Sequence, residues 1–203
     1  MKTYKEILSE YIPEKATSIV LVWISNSNVQ LRITRSRTSK LGDYRPPLLK
    51  KYHRISVNHD LNKYHFLLTF VHEYAHLKNW ELKQNKVKPH GVEWQRTFRE
   101  LMQPLLNEDI FPTDLKTIIA LYLKNPNSSV MNTRLVKKLR EYDKSKNYLT
   151  LEEIPFKSLF RIYNGIVFEK LEKMQKRFKC RRIDNNRIYM VSPIMQVVQV
   201  TLA

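Results

Sequence analysis

The apolar positions of the chain change period near residue 148. Before it most segments repeat at helical spacing; after it short alternating runs are separated by turn residues, as strands are. Residues 3–12 predict a short helix ended by Pro13. Residues 17–25 stay open between two readings. Ser18-Ile-Val-Leu-Val-Trp-Ile24 is rich in β-branched residues, yet Ala16, Ile19, Val20 and Trp23 also share one helical face. Residues 29–37 alternate, with Val29, Leu31 and Ile33 on one side, and 52–57 predict a second strand pairing back on the first. Between them Ser39-Lys-Leu-Gly-Asp43 is a turn and Arg45-Pro-Pro47 breaks the chain.

Capping residues at 58–62 open a helix over about 61–82. Tyr64, Leu68, Val71 and Ala75 lie on one side of it, Phe66, Phe70 and Leu77 nearly opposite, and Leu67 and Tyr74 between them. A helix apolar on most sides is a buried one. Further helices are expected over 92–102, with Val92, Phe98, Leu101 and Met102 in the core, over 113–123 and over 133–142. Residues 125–129 and 144–147 are expected as exposed loops. Strands follow over 158–163, 166–171, 177–183, 187–191 and 195–200, with Asn164-Gly165 as a two-residue hairpin turn. The pattern divides the chain into residues 1–146, mostly helical, and a small all-β module over 147–203, an α+β chain.

The chemistry sits on the buried helix. His72-Glu73-Tyr74-Ala75-His76 reads HExxH, which puts two imidazoles on one face within reach of one metal ion. Glu73, rotated about 100° from His72, stands beside such an ion, where a carboxylate can take a proton from activated water. Core histidines hydrogen-bonded to backbone are the competing explanation, but each would need its own buried partner. A catalytic zinc takes three protein ligands and keeps one position open. His65 lies nearly two turns before His72, too far for one coordination sphere, whereas His90 follows a loop in Lys88-Pro-His-Gly91, where Pro89 and Gly91 suit a sharp bend. His90 is the expected third ligand of a single zinc ion.

Phe70-Val-His-Glu-Tyr-Ala-His76 followed by Pro89-His-Gly-Val-Glu-Trp-Gln-Arg-Thr-Phe-Arg-Glu-Leu-Met102 resembles the SprT-like zinc metalloprotease family. The stretches 33–45 and 53–58 also resemble that family's β-hairpin ahead of the active-site helix, so the likeness spans about residues 5–105. It implies a zincin-like, mostly helical protease domain, zinc ligands His72, His76 and His90, and Glu73 as general base. It also implies that residues 17–25 form a helix packed on the hairpin. Relatives include a DNA-dependent protease that removes proteins crosslinked to DNA. Many carry a four-cysteine zinc ribbon after the protease domain. Here Cys180 stands alone, so the module is expected to be metal-free, ribbon- or barrel-like, held by Leu159, Ile162, Val167, Phe178, Ile188 and Tyr189.

Charge adds a partner. Lys and Arg number 36 against 19 Asp and Glu, a net of +17, which favours an anionic partner, DNA first. Residues 173–187 carry seven cations against Asp184 alone. Lys176, Arg177, Lys179, Arg181 and Arg182 are the candidate nucleic-acid contacts, Arg177, Lys179 and Arg181 sharing one strand face opposite Phe178 and Cys180. The other reading of that row is an edge strand guarded by cations against aggregation. Tyr163, Tyr189 and Trp94 are expected in the core rather than as base-stacking platforms, and Cys180 as a buried structural thiol. A composition 42% hydrophobic with one cysteine excludes a disordered chain and a disulfide scaffold. No 18-residue apolar run and no secretory leader are present, so a cytoplasmic protein without a membrane partner is expected. Two functions compete: a zinc peptidase acting on protein substrates at or near DNA, and a nucleic-acid-binding module with a structural or vestigial zinc site. A third, docking of the basic tail on an acidic protein, differs only in partner.

Overall fold

A computed structural model of the chain describes residues 3–37, 40–48, 50–84, 86–124, 126, 133–144 and 149–201. The loops expected at 125–129 and 144–147 lie outside them except at 126 and 144, as does Ser39 of the expected turn. The architecture is mixed α+β, in two compact units, Met1–Asp143 and Lys144–Ala203. Among the described residues no helix is long and apolar enough to cross a membrane.

Among the described residues the first unit holds six α-helices and a three-stranded sheet: α1 Tyr4–Tyr11, α2 Thr17–Ser25, β1 Val29–Thr34, β2 Gly42–Arg45, β3 His53–Asn58, α3 Lys63–Lys83, α4 Val92–Asn107, α5 Thr113–Leu123 and α6 Thr133–Arg140. Helix α1 starts on a Thr3–Glu6 capping box, which satisfies two of the backbone N–H groups a helix start leaves free. Residues 17–25 are helical, as the family resemblance implies. Helix α2 is tied to α3 where the Tyr74 hydroxyl donates to the Trp23 carbonyl (2.9 Å) and lies 2.6 Å from Ser27 Oγ.

The sheet corrects the sequence reading. Strand β3 does not fold back on β1; it lies parallel to it, in the order β1-β3-β2. The hairpin partner of β3 is β2, in a stretch whose glycine and prolines read as turn and breaker. A four-residue strand is too short for alternation to register, and once β2 occupies one edge of β3, β1 can take only the other. The connection from β1 across the sheet end to β2 is held by Asn58. Its side chain donates to the carbonyls of Arg37 (3.0 Å) and Lys40 (3.2 Å) and accepts from Arg37 Nε (2.8 Å).

Helix α3 is buried on nearly all sides, by Phe66, Leu67, Leu68, Phe70, Val71, Tyr74, Ala75 and Leu77. Asn62 caps it, accepting from the N–H groups of Tyr64 and His65 while donating to the Leu139 carbonyl at the end of α6. Phe98 and Met102 of α4 are core, but Val92, expected with them, is 77% exposed at the first turn of the helix.

The second unit is all-β, an antiparallel sheet ordered β4-β9-β5-β6-β7-β8. Its strands are β4 Leu149–Thr150, β5 Leu159–Arg161, β6 Val167–Met174, β7 Arg177–Arg182, β8 Ile188–Val191 and β9 Gln196–Val200. Its core is Leu151, Ile154, Phe160, Phe168, Phe178, Cys180 and Val197. Of the core residues expected from sequence, Phe178 is there and Ile162 packs against it. The inward positions of β5 and β6 are Phe160 and Phe168 rather than Leu159 and Val167, since a one-residue change of register turns every side chain to the opposite face. Ile188 and Tyr189 are exposed because β8 is an edge strand, and Tyr163 is exposed beside the Asn164-Gly165 turn. Cys180 is fully buried, with its thiol pushed up to about 11 by that burial.

Lys170 is buried in this core. Its ammonium donates to the carbonyls of Ile154 (2.6 Å) and Glu152 (3.3 Å) and lies 4.3 Å from the Phe178 ring centroid. It therefore fastens the irregular segment 151–154 to the sheet. Lys170→Met keeps the stem but strands those carbonyls, and we expect a loss of about 1–3 kcal/mol in urea denaturation.

His65 is buried and its Nε2 has no partner. Burial lowers its pKa from 6.5 to about 4. The unfolded chain therefore takes up this proton first as pH falls. The contribution is intact above about 6.5 and lost between there and about 4. Between pH 7.5 and 5 it amounts to about 2 kcal/mol. His65→Leu should lose about that much less stability than the parent over the same interval, measured by urea denaturation at both pH values.

Candidate metal centre

Burial of α3 fixes which way its polar residues point. His72, Glu73 and His76 occupy the one stretch of its surface that borders a cleft of about 390 Å³. The facing wall comes from β2, with Gly42, Asp43 and Tyr44, and the end wall from the bend Val87–His90 and Trp94. His90 reaches the cleft through a left-handed backbone, with φ of 58°. That strained turn is held by the Gly91 N–H donating to the Lys88 carbonyl (2.9 Å) and by Gln95 Nε2 donating to the His90 carbonyl (3.3 Å). A Cβ on residue 91 would sit 2.9 Å from the Lys88 carbonyl oxygen, so the bend requires glycine.

The bend brings the Nε2 atom of His90 to 3.0 Å from that of His72 and 3.0 Å from that of His76. Among the described residues, these three form the one group of three or more His, Cys, Asp or Glu side chains that could hold a metal ion. Hydrogen bonding alone satisfies them poorly, because a single N–H on His90 can serve only one of its two neighbours. A cation accepts all three lone pairs together. Ligand nitrogens about 2.0–2.1 Å from a tetrahedral ion lie roughly 3.3 Å apart, close to what is seen. All three imidazoles are held neutral, as ligands must be. His72 is lowered to about 3 by burial and then by His76 and His90, and His76 to about 4 by burial and then by His90. His90 is lowered by burial.

Trp94 forms the floor. Its ring lies 4.6, 5.5 and 4.8 Å from the rings of His72, His76 and His90 and stacks on Phe98 at 5.0 Å. It is core, as expected, and it also sets the three imidazoles. The signal was available: four residues after His90, one turn into a helix, a side chain returns beneath the bend. Tyr44 stacks on His76 from the opposite wall and its hydroxyl lies 3.0 Å from His53 Nδ1. Sequence reasoning missed it together with its strand.

Glu73 is raised to about 7, first by burial and then by Asp43, against the lowering effect of the Tyr44 backbone N–H and of Arg37 and Lys40. Its carboxylate lies against the backbone of β2. A Cβ on residue 42 would fall 2.8 Å from both Glu73 Cγ and Oε1 and 2.7 Å from Thr69 Cγ2. With three glycines in the chain, Gly42 was a marked position, and its role is close approach rather than a turn.

The basic residues expected to meet nucleic acid lie in the second unit. Lys179 pairs with Glu172 (2.7 Å), Arg181 with Glu169 (2.6 Å) and Arg182 with Asp184 (2.6 Å). Arg177 donates to the Met190 carbonyl, and Lys176 is exposed at the β6–β7 turn. Counting Asp184 alone against this row omitted the acids of β6, which the pairing places across from it. Strand β7 lies between β6 and β8, so it is not an edge strand.

A model of the SprT-like family matches residues 5–116, 112 of the 203 residues. The chain belongs to the SprT-like family, and that segment, which contains the whole cleft, is a metallopeptidase-like domain. No curated protein and no solved structure matches the chain.

Gly42→Ala should push Glu73 and Thr69 out of place. We expect a loss of about 1–3 kcal/mol by urea denaturation.

Proposed function

We propose that the chain is a zinc-dependent metallopeptidase acting on proteins at or near DNA, proteins crosslinked to DNA among them. The observation that carries the peptidase reading is the convergence of three neutral imidazoles, with His90 Nε2 3.0 Å from the Nε2 atoms of both His72 and His76, beside an acidic side chain in an open cleft. His72, His76 and His90 hold the ion, which when bound polarises the scissile carbonyl and acidifies water. Glu73, with a pKa near neutrality, takes the proton from the attacking water and returns it to the leaving amine. The Tyr44 N–H fixes the carboxylate, and Trp94 keeps the three rings in place. β2 is an edge strand whose outer edge faces the cleft, so an extended substrate segment can lie along it. The association with DNA is supported by the net charge of +17.

Purified parent protein should contain one zinc per chain by elemental analysis and cut an unfolded protein such as casein, with or without added DNA. His90→Ala should fall well below one zinc per chain. Glu73→Gln should keep its zinc and lose at least about 100-fold in cleavage rate. Cleavage by Glu73→Gln at the parental rate would remove Glu73 from the mechanism. A zinc-loaded parent that binds DNA and cuts no protein would instead favour a nucleic-acid-binding module with a structural metal.

A further inference from the structure

Between residues 30 and 54, eight Lys and Arg stand against a single acid, Asp43, a net of +7. The register of the three-stranded sheet places three of them, Arg32, Arg45 and Arg54, in the strands themselves. Gln30, Arg54 and Arg45 lie directly opposite one another across β1, β3 and β2, and Arg32, Ser56 and Asp43 form the next row. Opposed residues share a face. The alternate positions, Ile55 and Val57 among them, are fully buried on the other side, so these two rows belong to the outer face, where Ser56 is buried and accepts from Arg37.

Arg45 and Lys40 both pair with Asp43, at 2.9 and 2.8 Å. The rest of the face has no such neutralisation. Arg32 donates to the Gln30 amide (2.9 Å), and Arg37 donates to Asn58 and Ser56 with its Nη2 buried and unpartnered. Among the described residues no ion pair involves Arg32, Arg35, Arg37 or Arg54. The contrast is with β7, whose Lys179, Arg181 and Arg182 are each matched by an acid.

We infer that the outer face of the three-stranded sheet binds the phosphodiester backbone of a nucleic acid. This deepens the reading above and rests on its association with DNA. Guanidinium forks suit phosphate oxygens, and strands about 4.8 Å apart set them in a grid rather than on one flexible segment. The two rows contain no apolar side chain. A protein partner needs apolar anchors at the centre of its footprint, whereas a polar, strongly positive surface fits nucleic acid. The face also has a functional position. Strand β2 presents Arg45 on it and Tyr44 to the cleft, so a strand of nucleic acid held there brings its bound proteins beside the metal centre.

The test uses the full chain and fluorescently labelled oligonucleotides about 20 nucleotides long: single-stranded DNA, duplex DNA and RNA of one sequence. Anisotropy is read at 50 and 200 mM salt, with polyglutamate of matched length as competitor. Arg32→Gln/Arg45→Gln/Arg54→Gln, the three arginines of the two rows, should weaken binding at least about 10-fold at the lower salt and reduce the slope of log affinity against log salt by about 2–3. Lys176→Gln/Arg177→Gln/Lys179→Gln/Arg181→Gln should change affinity less than about threefold. Should the triple variant fail to fold, by circular dichroism, Arg32→Gln alone should lower the slope by about 1. DNA and RNA bound alike support backbone recognition, and a preference between them, lost in the triple variant, supports it with the sugar read as well. Unchanged binding by the sheet variants with loss in the β7 variant overturns the location while leaving nucleic-acid association standing. A parent that binds none of the three oligonucleotides overturns both. Displacement by polyglutamate at lower concentration than by unlabelled DNA makes the partner an acidic protein and overturns the proposal.

Discussion

Three imidazole nitrogens within 4.8 Å of one another, that of His90 3.0 Å from each of the other two, are the constraint from which the first unit is organised. Two come from a single turn of α3 and hold their spacing as long as that helix stays straight and does not rotate. Apolar packing around α3 prevents rotation, the Asn62 cap fixes its start to the end of α6, and the Tyr74 hydroxyl pins its middle to α2. The third nitrogen arrives on a bend with a left-handed histidine, a conformation that costs of order 1–3 kcal/mol for a residue with a side chain. Trp94 and the Gly91 turn hold that bend, and a cation shared by the three rings would offset the strain.

The same wall that completes the cleft also tunes its acid. Glu73 is pressed on the backbone of β2 at the one residue with no side chain, close enough to accept the Tyr44 N–H and to feel Asp43. Asp43 in turn is held lowered: its burial acts to raise it, but the hydrogen bonds from Lys40 and Arg45 outweigh that. A permanently ionised neighbour and a desolvated site both oppose a second negative charge, which is why Glu73 sits near neutrality. Strand β2 therefore sets the acid's proton affinity, lines the cleft and carries part of the cationic face.

Much of this was legible in the sequence because its signals were dense and local. The all-round apolar pattern of α3, the five-residue motif inside it and the Pro-His-Gly bend each declare themselves within a few residues, and the helix ranges follow. Signals that depend on pairing partners did not declare themselves. Nothing in Gly42–Arg45 separates a four-residue strand from a turn, and so the parallel pairing of β1 with β3 was missed with it. In the second unit the strand positions were readable but the inward face of β5 and β6 was not, because Leu159-Phe160 and Val167-Phe168 offer an apolar residue in either register. The charge of β7 was overestimated for the same reason: its neutralising acids lie on the neighbouring strand, twelve residues away for Arg181 and Glu169.

The strand order of the first unit has a consequence for biosynthesis. The central strand is the last of the three to be made. When β1 leaves the ribosome it has no partner strand, and its edge stays unpaired until β3, which ends at residue 58, has emerged as well. The β2–β3 ribbon can zip locally, but β1 must be captured afterwards by closing a loop of about twenty residues, the slower kind of event in folding. The helix that carries His72 and His76 follows immediately in the nascent chain. The β2–β3 ribbon, which supplies the wall of the cleft, can therefore be in place before that helix docks on it, while β1 joins the far edge of the sheet, away from the cleft.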